Sequence, residues 1–130
     1  MATTPTAPQP GRLRQTLEQQ RAADAWACSQ GISKEYVALA KGLPALIMNS
    51  GLMQVMAFLH QKGGLHEQLA QQLRLWLSRR GIGGVKAAGF EPFMEALMNA
   101  PSPTYQAITA ESLAWLRWLR QMAAARHGED

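Results

Sequence analysis

Residues 41–62, Lys-Gly-Leu-Pro-Ala-Leu-Ile-Met-Asn-Ser-Gly-Leu-Met-Gln-Val-Met-Ala-Phe-Leu-His-Gln-Lys, are the most apolar run of the chain. Leu43, Ala45, Leu46, Ile47, Met48, Leu52, Met53, Val55, Met56, Ala57, Phe58 and Leu59 make nearly the whole circumference hydrophobic once the run is helical, and such a helix belongs inside a protein. Pro44 suits a first helical turn, where its missing N–H is not needed, and Asn49-Ser50-Gly51 supplies a stop and the means to restart. The run reads as a short helix followed by a longer one, a hairpin at the centre of the core. A membrane span needs about 20 unbroken apolar residues, and Asn49, Ser50, Gly51, Gln54 and His60 interrupt this one.

A chain of 130 residues is one domain by length and buries over ~65% of its unfolded surface, so it needs neither disulfides nor a metal to fold. Cys28 is the single cysteine. It can form no internal disulfide, which fits a reducing compartment, and it reads as a small buried thiol on a helix. The first ten residues lack the charged start and apolar stretch of a signal peptide, and the expected location is cytoplasmic. The formal charge is +4. Glu129 and Asp130 sit at the extreme end, leaving 13 bases against seven acids in the body, an excess that favours a polyanionic partner.

Residues 1–10 carry three prolines and no large apolar side chain, so they read as a disordered arm ahead of one helical domain over 11–127. From Arg12, Leu13, Leu17, Ala23, Trp26 and Ala27 recur at helical steps up to Gln30-Gly31. Ser33 caps a second helix, which the pattern closes at Gly42. After Gly63-Gly64, the stripe Leu65, Leu69, Leu73, Trp76 and Leu77 marks a helix to Arg79-Arg80, with His66, Glu67, Gln71, Arg74 and Ser78 on its polar side. Residues 81–89 hold four glycines and read as a mobile connector. They lack the Gly-Lys-Ser/Thr ending of a phosphate-binding loop. A short helix covers Phe90 to Asn99, and Ser102-Pro103-Thr104 starts a last one of some 22 residues, about 33 Å long. That exceeds the ~14 Å radius of gyration of a compact domain this size, so the last helix must span the molecule. No strand pattern occurs. The expected fold is all-α, a compact single-domain bundle of about five to seven helices with a long C-terminal helix.

Catalytic and metal constellations fall short. His60, His66 and Glu67 are close in sequence but separated by the paired glycines, without HExxH or Cys/His spacing. Cys28 has no histidine neighbour and no serine sits in a Gly-x-Ser-x-Gly turn. Glu91 and Glu95 are i, i+4 on a surface helix, and Glu111 stands alone. The chain reads as no enzyme, with no cofactor and no metal. In the last helix Trp115 falls on the Leu119 and Met122 stripe and belongs to the core. Trp118, Arg117 and Arg120 lie off it, as a solvated basic face or as a stacking platform for nucleic acid.

The run from Lys41-Gly-Leu-Pro44 through Asn49-Ser-Gly51-Leu to Phe58, followed by Tyr105, Thr109, Glu111 and Trp118-Leu-Arg120, with Ala25-Trp26 and Tyr36 before them, resembles the small subunit of the Cmr (type III-B) CRISPR effector complex over residues 12–126. The resemblance implies a non-catalytic helical protein of antiviral defence. Several copies would stack along the groove that holds guide RNA and target RNA, beside the backbone and large subunits. A protein serving any guide–target pair must read phosphates and shape and ignore sequence. Lys41, Arg117 and Arg120 are therefore the expected phosphate contacts, with Lys62, Arg79 and Arg80 as weaker candidates. The rival reading is a helical protein–protein adaptor that binds no nucleic acid and uses Met48, Met53, Phe90 and Met94 as an apolar rim. A helix-turn-helix DNA reader is less favoured, because no helix shows a polar recognition face after a tight turn.

Overall fold

Capping chemistry sets most of the helix boundaries. The structure, a computed structural model, describes residues 15–127; the expected arm at residues 1–10 and the helical start at Arg12 lie outside the described residues. Helix α1 (Leu17–Cys28) opens on a capping box in which the Gln19 N–H donates to the Thr16 hydroxyl at 3.1 Å and the Thr16 N–H donates to the Gln19 side chain at 2.8 Å. Ser33 caps α2 (Lys34–Ser50) by accepting from the Tyr36 N–H. Helices α3 (Leu52–Lys62), α4 (Gly64–Arg80), α5 (Phe90–Asn99) and α6 (Ser102–His127) follow, with no strand among the described residues.

The second helix differs from its sequence reading. It does not close at Gly42 but runs on through Gly42 and Pro44 to Ser50, so the apolar run enters as the end of one long helix, and the break falls at Gly51. Glycine and proline inside a helix cost about 4 kcal/mol together. Tyr36, Leu43 and Ile47, all buried on one face, return about 5–9 kcal/mol when held against the core, so tertiary burial wins. Gly51 takes φ +88°, a conformation that favours glycine, and this turns the chain into α3.

Helix α6, 26 residues and about 39 Å long, is the spine, packed against α1, α2 and α4. Its buried residues Ile108, Ser112, Trp115, Leu116, Leu119 and Ala123 join Leu52, Val55, Met56 and Leu59 of α3, Leu69, Leu73 and Leu77 of α4, and Phe93 and Leu97 of α5 in one core. Trp115 is in that core, as its spacing indicates. The glycine-rich connector is anchored at two points: Ile82–Gly84 form a 3-10 turn followed by buried Val85, and Arg74 donates to the Ala88 carbonyl at 2.5 Å. Arg74 itself, read as solvent-facing, is only 2% exposed.

Candidate nucleic-acid interface

Two grooves run along α6. The first, of about 210 Å³, lies between α2 and α6 and is lined by Pro44, Met48, Leu113, Arg117 and Arg120. The two helices are antiparallel there. The Tyr105 hydroxyl, near the start of α6, accepts from the Met53 N–H just past the end of α2, whereas Pro44 and Met48 lie along the middle of α6. Lys41, three residues before Pro44 and seven before Met48, is on the same side of α2, toward the end of the groove that Arg117 and Arg120 occupy. Lys41, Arg117 and Arg120 are all exposed, and none has an acidic partner among the described residues. The second groove, of about 270 Å³, lies between α1 and α6 and is lined by Glu18, Arg21, Ala114, Arg117, Trp118 and Gln121. Arg117 borders both.

The other three candidate cations stand elsewhere. Arg79, on α4, is paired with Asp24 of α1 at 2.7 Å, and the Arg80 Nε lies 3.8 Å from Glu111. Lys62 ends α3 with its ammonium 6.0 Å from the Phe58 ring centroid. None of the three lines either groove. Of the six, Arg117 and Arg120 line one groove, and Lys41 lies on the groove side of α2 without lining it.

What the sequence reading missed is where the acids go. Glu111, 5% exposed, takes a bidentate bond from Arg21, both N···O distances 2.7 Å, and accepts from the Trp76 indole at 3.0 Å. Burial pushes its carboxyl up, but Arg21, the Trp76 N–H and the nearby Arg80 hold it below the ordinary carboxylate value. Asp24 accepts from the Trp115 indole at 2.8 Å as well as from Arg79. Glu67 accepts from Arg74 at 2.5 Å and lies 3.1 Å from His60 Nδ1, and the His60 ring stacks on Phe90 with centroids 3.9 Å apart. Burial again acts upward on Glu67, and its bonds to Arg74 and His60 more than offset it. No spacing rule links residues 21 and 111, so helical periodicity alone could not find these pairs. Glu67 and Arg74, two turns apart on one helix, left the only local signal.

Among the described residues no three His, Cys, Asp or Glu side chains are grouped to hold a metal, and no helix is long and apolar enough to cross a membrane. Cys28 is half-buried beside Asp24, and burial first, then that carboxylate, pushes its thiol up to about 12, so it is no ready nucleophile at neutral pH. Of the expected apolar rim, Met48 is 72% exposed, whereas Met53 and Met94 pack partly against the core and Phe90 is half-buried against His60. Leu46 and Phe58 are exposed instead, walling a cleft of about 430 Å³ with Ser50, Gln54 and Val55.

Fold and site define a small all-α protein in which Asp24, Glu67 and Glu111 are engaged in internal pairs and two unpaired arginines, Arg117 and Arg120, line an interhelical groove. The family of CRISPR-associated proteins described as Cas_Cmr5 matches residues 17–126, and the chain belongs to that family. Membership makes it a Cmr5 small subunit of the type III-B CRISPR complex. A solved relative, the crystal structure of a CRISPR-associated Cmr5 family protein from Thermus thermophilus, is 26% identical with a TM-score of 0.68, over 85% of this chain and 96% of that one. No curated protein matches the chain.

Proposed function

We propose that this subunit is a non-catalytic structural element of the cytoplasmic Cmr complex in antiviral defence. It stacks in several copies beside the backbone and large subunits and contacts the phosphates of guide RNA and target RNA without sequence preference. One observation supports the reading: Arg117 and Arg120, without acidic partners among the described residues, line the groove between α2 and α6, and exposed Lys41 stands on the same side of α2. Lysine and arginine on one track attract a phosphate chain and carry no base-reading geometry. Lys62, Arg79 and Arg80 are secondary contacts at most, since Arg79 would first have to leave Asp24.

Binding of single-stranded RNA and of a guide–target duplex, measured over a range of salt for the wild type and for Lys41→Ala, Arg117→Ala and Arg120→Ala, tests the reading. Each variant should bind unrelated sequences more weakly by a similar factor and lower the slope of log K against log salt by about 0.7–0.9. An effect confined to one sequence would overturn it. The adaptor reading, favoured by the exposed Leu46 and Phe58 beside their cleft, instead predicts no RNA binding at any salt.

A further inference from the structure

We infer that the cleft between α1 and α6 receives a single unpaired nucleobase of an RNA strand whose phosphates follow Lys41, Arg117 and Arg120. The inference rests on the phosphate-track reading above and adds a ligand class to a site distinct from the track.

The tryptophans point to it. Trp76 and Trp115 donate their indole N–H groups to Glu111 and Asp24, and Trp26 lies under the Arg126 guanidinium at 3.9 Å. Trp118 has no hydrogen-bond acceptor among the described residues, and its ring walls the cleft. The Trp118 N–H is not buried, so it opens to solvent beside the cavity and is available to a ligand. The polar groups around it suit a base better than a phosphate. Glu18 on the rim repels phosphate and accepts from an exocyclic amine, Gln121 both donates and accepts, and the Arg21 charge is already met by Glu111. The volume of about 270 Å³ lies just under the ~300–1,000 Å³ of sites that take drug-sized molecules, which suits one ring system.

Arg117 makes the connection. It lines both grooves, so a phosphate held on the track at Arg117 has its own nucleoside at the mouth of the cleft. A paired base is held by its partner and its stacked neighbours, and only a base out of the stack presents a free face to an indole. Stacking tolerates any base, which agrees with a subunit that ignores sequence.

The experiment uses the full chain with three RNA probes: a single strand, a fully paired guide–target duplex, and the same duplex with one bulged 5-iodouridine. Trp118→Leu keeps apolar bulk and removes the π face. It should weaken the single strand and the bulged duplex by about 5–100-fold and leave the paired duplex within about twofold. Trp118→Phe, which keeps a ring, should restore most of the loss. Arg117→Ala should weaken all three. Irradiation should cross-link the bulged base to Trp118. Equal loss on all three probes with Trp118→Leu, no loss on any, or a cross-link outside the cleft would overturn the inference while leaving the phosphate track intact. If Trp118→Leu does not fold, Trp118→Phe and the cross-link decide. Failure of the wild type to bind any RNA would remove the phosphate track and this inference together.

Discussion

Tyr105 illustrates how a residue that carries the family resemblance does structural work. Gly51 begins α3 without a side chain to cap it, and the Tyr105 hydroxyl, from across the groove, accepts the Met53 N–H at 3.2 Å in its place. A Cβ at residue 51 would sit 3.7 Å from that hydroxyl, so the two residues fit as a pair. Thr109, four residues on, turns its hydroxyl back to the Tyr105 carbonyl, and Glu111 enters its ion pair. Tyr105→Phe should therefore destabilise the fold by about 0.5–1.5 kcal/mol, read as a lower urea midpoint with unchanged slope, while the RNA affinity of the folded protein stays as in the wild type. A loss of RNA binding without loss of stability would instead put Tyr105 in the interface. At this scale the sequence was partly legible. Trp115 announced its burial by its spacing to Leu119, whereas Arg74 looked like a surface residue because its buried partners, the Ala88 carbonyl and Glu67, could not be deduced from a polarity pattern.

At the scale of elements, punctuation residues were readable where nothing opposed them. Gly51, Gly63 and Gly81 end helices as expected, each at positive φ, whereas Gly42 lies inside one because the face containing Leu43 and Ile47 overrides it. That contrast makes opposite predictions for two glycines. Gly42 is exposed, lies within a helix and has nothing within 4 Å of an added Cβ. Gly42→Ala should stabilise by about 0.5–1 kcal/mol, or about 2–5 °C in Tm. Gly83 has φ +62°, and a Cβ there would collide with Thr104 and press on Ile108 at the head of α6. Gly83→Ala should destabilise by about 1–3 kcal/mol by thermal melting, because the connector could no longer lie against the spine. Equal, small effects at the two sites would mean that residues 81–89 are the loose linker their glycine content suggests.

Across the whole molecule, the acids and the bases have been sorted. Glu111 ties α6 to α1 and α4, Asp24 ties α1 to α6 and α4, and Glu67 ties α4 to α3 and, through the His60 stack, to α5. These carboxylates neutralise Arg21, Arg74 and Arg79 internally, and Lys41, Arg117 and Arg120 are among the exposed cations without an ion pair, alongside the exposed acids Glu18, Glu35, Glu91 and Glu95. The sequence disclosed the sign of the net charge but not the place of these cations, since the place depends on the antiparallel register of α2 and α6 and on pairs 90 residues apart. The same sorting sets the response to acid. Glu67 and Glu111 are both held below their ordinary value of 4.5, so the stability they contribute is complete above that pH and is lost as pH falls through their lower folded values. Urea midpoints should stay level from pH 7 to about 5 and fall below about 4.5. Glu111→Gln removes the charge that faces Arg21 and Arg80 while nearly keeping the shape. It should lower the plateau by about 2–4 kcal/mol, because Arg21 loses its partner, and should flatten the acid limb, because one of the two titrating groups is gone. A variant whose plateau drops while its acid limb stays as steep as in the wild type would show that Glu111 matters for packing alone. The joining of α1, α4 and α6 would then rest on the apolar core without the ion pairs.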